Sequence, residues 1–567
     1  MNLRSKKLFC SLFGRAVLIL AVMYSLSLQV LSENSINPDN LLFIDFAVTG
    51  NGTTQVDLDP EQVSITIDGV ARDVVYLSRI TPEVITPDNP NSWIVANQLR
   101  GQQSLILLLD LLSLDNAALS NTRANIEALL NSMPENHNRK IMLAVLGSNL
   151  SFVQPFTSDK NKILEELDKV QVSFTRLDYK QLIKSISDIF SIQYDQNPSQ
   201  AMEESIREAN QFMVQVESRR ESAIAGLETF AEWFTGLSGP KNVLLFSAGY
   251  PLMPSPVVHD IVRVYNEPSG TGSIIPISLL SAKIRTGGDS DVSGKITELT
   301  AKFNRNQLSL FTFDSRDVKS DGLAASGIRW LPQRLVASHN SSHITEGHEF
   351  LKNISEPTKG SFVYDQQTLL KQIDGTGWTS YIAAVAGEAG VEPGEPGSIV
   401  KVSVSGIGGK ANDTREVGSR NSFFSLKPAS SRETLAGAFN FPDYFSDFSV
   451  SFNIGAGKGL LNAEAVLSPE SLTFVRERDK YFCMLEIFGV LTDSAGNTVT
   501  GDKSFTFAKQ FPLRMDESQL RSLLSRKTVS ASASASGIEP GEYSLTVVVR
   551  QPRSGLISSS KMDISME

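Results

Sequence analysis

Residues 104–110 read SLILLLD, an unbroken apolar run closed by an acid. A strand with one face in water alternates in polarity. This one does not, which suits a central parallel strand covered on both faces. The same pattern returns in KIMLAVLG (140–147), KNVLLFSAG (241–249) and QLSLFTFD (307–314). Between these runs the apolar spacing becomes helical: Leu119, Ile126, Leu129 and Leu130 mark a helix over 116–132, and further helices are predicted at 159–169 and 178–192. A long helical stretch runs from about 198 to 236 with Ile224, Leu227, Phe230, Ala231 and Phe234 on one face, and Gly236 and Gly239-Pro240 stop it. Helices at 286–303, 346–355 and 366–373, with the short strands SFVY and TSYIAAVA, continue the alternation. Strands alternating with helices predict an α/β fold, a mostly parallel Rossmann-type sheet with helices on both faces.

Outward from this core the signals change. Residues 41–80 read as short strands, among them LLFIDFAV and QVSITI, with Asp68-Gly69 as a hairpin turn; Pro82, Pro87 and Pro90 mark a linker. Residues 251–285 and 317–345 interrupt the alternation with Pro, Gly, Ser and Asn and read as insertions over the sheet edge. SIVKVSVS (398–405) alternates as an edge strand. Beyond about 435 only strand signals remain, which predicts an Ig-like β-sandwich. The expected division is 1–32 as an export segment, 33–98 as an N-terminal β segment and linker, 99–428 as the α/β domain and 429–567 as the sandwich.

The chain has 567 residues, 41% hydrophobic and 20% charged, which is a globular composition too long for one core. Against 62 Asp and Glu stand 52 Lys and Arg, a net charge of −10 that disfavours a dedicated nucleic-acid binder. Arg4, Lys6, Lys7 and Arg15 followed by the apolar stretch Ala16–Leu28 form a signal peptide, with Val30 and Ser32 small enough for cleavage before Glu33. The alternative is an uncleaved anchor, for which the apolar stretch is short. Cleavage removes four basic side chains, leaving 48 against 62, or −14, and one cysteine, Cys483. The expected location is exported (periplasmic, cell-surface or secreted), with no membrane span after signal cleavage.

FAVTGNGTTQVDLDPEQVSITIDGVARDVVYLSRI, LILLLD with its helix, MPENHNRKIMLAVLGSNLSFVQPFTSDKNKILEEL, GLETFAEWFTGLSGPKNVLLFSAGYP, LSLFTFDSRDV and HEFLKNISEPTKGSFVYDQQTLLKQID follow one another in order. Together they resemble the exported von Willebrand factor A-related proteins of bacteria, of the acidobacterial type, over about residues 41–425. That resemblance implies a von Willebrand factor A-like sheet binding its ligands at the C-terminal strand edge through a divalent metal. The implied motif is Asp-x-Ser-x-Ser after the first strand, with a Thr and a second Asp from later loops. Hard oxygen donors and an open position would let Mg²⁺ or Mn²⁺ accept a partner's carboxylate. Here Asp110 is in place, but Leu112 and Leu114 stand where the serines belong and Ser113 is out of register. Ser247 occupies the position of the second Asp, and Ser222 is the nearest candidate for the Thr. The metal site is therefore expected to be degenerate, with Asp110, Ser113 and Ser222 as its remnants and Asp110 as a simple helix cap or loop anchor otherwise. Asp110, Ser113, Asn149, Ser222, Ser247 and Tyr250 make up the expected binding rim.

His339, His343 and His348, with Glu346 and Glu349, crowd the stretch HNSSHITEGHE. The first two, four residues apart, suit Zn²⁺ on a helix, although Lys352 replaces the second His of H-E-x-x-H and a solvated loop is the simpler reading. GAGKGL (455–460) lies between strands and reads as a turn, not a phosphate loop. No nucleophile elbow is present. The leading expectation is a non-enzymatic protein-binding or adhesion-type module whose partner the sequence does not name. The alternatives are a metal-dependent extracytoplasmic hydrolase built on His339, His343 and His348, and a structural envelope scaffold.

Overall fold

In a computed structural model of the chain the described residues are 41–49, 58–79, 104–133, 139–172, 179–237, 239–267, 273–284, 292–316, 345–365, 368, 378–386, 400–405, 417–419, 432–442, 444–494, 498–499, 505–552 and 554–567. Four strands, β1 (Leu41–Thr49), β2 (Val63–Ile67), β3 (Val70–Arg72) and β4 (Val74–Arg79), precede the first apolar run, which forms β5 (Ser104–Asp110). Then come α1 (Asn116–Ser132), β6 (Lys140–Leu146), β7 (Leu150–Thr157), α2 (Lys160–Lys169), α3 (Tyr179–Gln193) and α4 (Pro198–Trp233). After β8 (Lys241–Ser247) follow α5 (Pro254–Asn266), α6 (Ile277–Lys283), α7 (Val292–Arg305), β9 (Leu308–Asp314), α8 (345–355) and β10 (Phe362–Val363).

These strands form one six-stranded sheet in the order β10-β9-β8-β5-β6-β7. Its pairs are parallel except β6 with β7. Every residue of β5 is buried. Its alternate side chains feed two separate cores. Leu105, Leu107 and Leu109 pack with Leu119, Ile126 and Leu130 of α1 and Ile163 and Leu167 of α2. Ile106 and Leu108 face Leu227, Phe230 and Phe234, with α7 and α8 behind. The mostly parallel α/β sheet expected from the sequence is present, with helices on both faces.

α4 has 36 residues, and at 1.5 Å per residue it is about 54 Å long. The Asn197 side chain caps it by accepting from the Gln200 N–H, and Pro198 opens it without losing a needed bond. Its C-terminal half covers the sheet, while its N-terminal half joins α3, α5 and α6 around Phe190, Met202, Phe212, Val258 and Tyr265. The insertion expected over 251–285 is therefore largely helical. Val258, Ile261, Val262 and Tyr265 form one buried stripe at helical spacing, and Pro254 stands at a helix start where it does no harm. Residues 317–344 of the other expected insertion lie outside the described residues, as do the export segment, the proline linker and most of 366–373.

TSYIAAVA and SIVKVSVS do not extend the parallel sheet. β11 (Trp378–Ala386) lies between β1 and β4, with β13 (Val417–Ser419) on the far side of β1, and β12 (Val400–Val404) joins β2 and β3. Ile44, Phe46, Ile65, Tyr381 and Val400 share one core. The span expected as one domain, 99–428, thus gives its last strands to the N-terminal β unit. Local pattern fixes that a segment is a strand, not which distant strand it meets. A buried ion pair, Lys359 Nζ to Asp45 Oδ2 at 3.0 Å, ties this unit to the loop after α8.

After α9 (Arg432–Asn440) come β14 (Val450–Gly457), β15 (Leu460–Leu467), β16 (Val475–Glu477), β17 (Lys480–Asp493), β18 (Thr498–Val499) and β19 (Phe507–Met515). α10 (Glu517–Leu524), β20 (Val529–Ser536), β21 (Gly541–Gln551) and β22 (Leu556–Met566) complete the order. They make two antiparallel sheets, β14-β15-β20 and one built around β17, β21 and β22, which share a core containing Leu461, Cys483, Ile487 and Val547. In β20 the alanines Ala531 and Ala533 point inward and the serines outward. Phe441, Tyr444 and Ile557 also enter the core on the α4 face of the parallel sheet. Among the described residues no helix is long and apolar enough to cross a membrane.

Candidate functional site

β6 lies on one side of β5 and β8 on the other, so the chain reverses its winding direction between β5 and β8. The loops leaving such strand ends diverge and open a crevice at the C-terminal edge of the sheet. Asp110 ends β5, Ser247 ends β8 and Asp314, opposite Ser247, ends β9.

A tight turn follows β5: the Ser113 N–H donates to the Asp110 carbonyl at 3.2 Å and Leu112 N–H to Asp110 Oδ1 at 3.2 Å. That turn brings Ser113 back beside its strand end, which a straight count along the motif does not reveal. Ser247 Oγ donates to Asp110 Oδ2 at 2.7 Å, and the Tyr250 hydroxyl contacts both carboxylate oxygens at 2.9 Å. The Ser113 and Ser247 hydroxyls are 3.0 Å apart, and the Ala248 and Gly249 N–H groups donate to them in turn. Asp110 is 2% exposed. Burial raises its pKa above the ordinary carboxylate value, and the bonds from Ser247, Ser113, Tyr250 and Leu112 only moderate this. Burial and the adjoining Asp110 hold the Tyr250 phenol well above its usual value, so it stays a proton donor.

Four of the expected rim residues therefore meet in one buried knot, and two do not. Asn149 is exposed on the β6–β7 turn, where its carbonyl accepts from Gly147. Ser222 is exposed on α4 and spends its hydroxyl on the Ser218 carbonyl at 2.8 Å. The donor set does not fit a divalent cation: one carboxylate, with both oxygens already bonded to hydroxyls, replaces the several open oxygens such an ion requires. Among the described residues no group of three or more His, Cys, Asp or Glu gathers as metal ligands.

Asp314 has opposite surroundings. Arg316 donates to it from Nε at 2.9 Å and Nη2 at 2.8 Å, and His348 Nε2 lies 2.8 Å from Oδ2. Burial alone raises its pKa, but the bonds from His348 and Arg316 outweigh that and hold it at about 2. His348 sits on α8, not on a solvated loop, and its ring packs on Phe362 at 4.6 Å. Glu346 accepts from the Tyr179 hydroxyl at 2.8 Å. His339 and His343 lie outside the described residues.

Beside both clusters opens a cleft lined among others by Ser113, Arg219, Tyr250, Arg316 and Gly347. Gly249 has φ +71°, and a Cβ there would stand 2.3 Å from the Gly347 carbonyl oxygen; one on Gly347 would stand 2.7 Å from that of Ala248. The post-β8 loop and the first turn of α8 approach this closely because neither carries a side chain at the contact. The buried Arg220 holds the same loop against α4 by donating to the Pro251 and Leu252 carbonyls at 2.9 and 2.8 Å. Sequence reading missed Arg219, Arg316 and Gly347. Arginines on a helix read as a solvated face, and only the Asp-Ser-Arg run after β9 hinted at a paired strand-end cation.

No family model matches this chain, and no curated protein does either. Among solved structures it is similar to an aerotolerance-related membrane protein from Bacteroides fragilis, with 10% identity over 48% of this chain and 98% of that one, at a TM-score of 0.23. The von Willebrand factor domain of the type V pili tip protein Mfa5 from Porphyromonas gingivalis matches at 11% identity over 48% of this chain and 92% of that one, TM-score 0.22. A von Willebrand factor type A protein from Catenulispora acidiphila matches at 8% identity over 93% of this chain and 74% of that one, TM-score 0.22. These likenesses are remote, and a functional reading must come from the site itself.

Proposed function

We propose that this chain is an exported, non-enzymatic protein-binding module of the von Willebrand factor A type that holds its partner at the strand-end rim without a resident metal. The observation that supports this best is the cleft at the winding reversal, a place where α/β sheets take ligands. Both strand-end carboxylates beside it are engaged, Asp110 by hydroxyls and Asp314 by Arg316 and His348, so neither is disposed as a general base or an open metal ligand. The N-terminal β unit and the C-terminal strands, read as an Ig-like β-sandwich, serve as spacers or further contact surfaces. Export rests on the basic and apolar N-terminal segment.

A photo-crosslinking residue at Asn149, exposed on the rim, tests the reading in native extracts with the same label at the exposed Leu524 as reference. Discrete adducts from position 149, formed in metal-stripped buffer, are expected. Adducts no stronger than those from position 524, or adducts that require added Mg²⁺ or Mn²⁺, would count against it.

A further inference from the structure

The cleft has a one-signed lining. Among the described residues its charged lining side chains are Arg219, from α4, and Arg316, from the loop after β9; the strand-end carboxylates Asp110 and Asp314 stand beside it, bonded to hydroxyls and to Arg316 respectively. Arg316 is 6% exposed, and its fork on Asp314 fixes the plane of the guanidinium. Arg219 is partly withdrawn from water; burial lowers its pKa from the ordinary guanidinium value, yet a guanidinium stays charged at any physiological pH. A cation that has lost hydration gains more from an incoming anion than one in bulk water. Gly249 and Gly347 also line the cleft, and Gly347 belongs to the first turn of α8, whose dipole adds positive potential. The same field opposes a divalent cation.

We propose that this cleft is an oxyanion site in which Arg219 and Arg316 hold a carboxylate or phosphate group carried by the bound partner, guanidinium groups doing the work otherwise given to a metal ion. The proposal rests on the rim being the binding surface, and it names the chemistry the rim selects.

The test uses the intact chain stripped of metal on a chelating resin, because soluble chelators are themselves polycarboxylates. N-acetyl-aspartate and inorganic phosphate are titrated separately at low ionic strength and followed calorimetrically. Saturable binding with Kd on the order of 1 mM is expected, weakened about tenfold by Arg219→Gln and partly restored by Arg219→Lys. Ser222→Ala, one turn along the exposed face of α4, leaves it unchanged, as does added Mg²⁺. The tighter probe identifies the group, carboxylate or phosphate. No saturation with either probe up to about 50 mM, wild-type binding by a folded Arg219→Gln chain, or binding only with Mg²⁺ overturns the proposal. Crosslinks from position 149 with neither probe bound would sink this inference and leave the rim reading standing. Probe binding without crosslinks would keep the oxyanion site, with a free small anion as its ligand, and remove the protein partner.

Discussion

Asp110 and Asp314 close parallel strands at one edge of one sheet, yet their neighbours drive their ionisation in opposite directions. Asp314 is held at about 2, below the ordinary 3.8, because His348 and Arg316 stabilise the charged form. Its contribution, about 2 kcal/mol, is complete above pH ~4 and is lost as pH falls toward 2. Asp110 has hydroxyl donors and no cation, so burial wins and its pKa rises. Its effect on stability therefore has the other sign: it favours the fold below the unfolded carboxylate pKa and loses that as pH rises. Urea midpoints measured between pH 5 and 2 should fall less steeply in Asp314→Asn than in wild type and more steeply in Asp110→Asn, pH being the variable in both series. Equal slopes in all three chains would contradict the assignment. At this scale the sequence revealed Asp110, Ser113, Ser247 and Tyr250 as candidates, because each follows a recognisable apolar strand. It did not reveal that Ser113 folds back onto Asp110, since that depends on a turn whose amides bond the strand end.

At the scale of elements, the loop after β8 and the start of α8 define the cleft through their glycines. Elsewhere Gly→Ala often stabilises by about 0.4–1 kcal/mol through the unfolded chain. Gly249→Ala should do the reverse, costing about 1–3 kcal/mol, because φ +71° disfavours a side chain and the Gly347 carbonyl occupies its place. Chemical denaturation should show the loss as a lower midpoint with an unchanged slope, and a neutral or stabilising substitution would mean that this backbone contact is not close. α4 was legible as a helix from its apolar stripe near Ile224–Phe234. That its first half builds a second helical core with α5 was not, because proline at a helix start and proline in a loop look alike in one dimension.

For the whole molecule, the chain closes on itself: β1 pairs with β11 along nine residues, from Leu41↔Ala386 to Thr49↔Trp378. A fragment of residues 99–428, the division expected from sequence alone, would carry β11 and β12 without β1, β2 and β4, and would expose Phe152 and Phe156, which Phe441 covers. Unpaired strands and bare aromatic faces invite association. That fragment should be recovered as aggregate or oligomer by size exclusion, whereas the chain with both flanks should not. A monomeric, cooperatively melting fragment would show that the flanks are dispensable.

Sequence by itself determined the identity of the elements and the strand-end position of the chemistry, because burial on two faces writes a continuous apolar run and burial on one helix face writes a stripe. It also placed Leu112 and Leu114, not serines, two and four residues after Asp110. Only the tertiary structure decided which strands pair across more than 300 residues of chain, because hydrogen-bonded ladders use backbone groups common to every residue. It alone brought arginines from α4 and the β9 loop to one cleft, because the sign of a field is set by what converges in space.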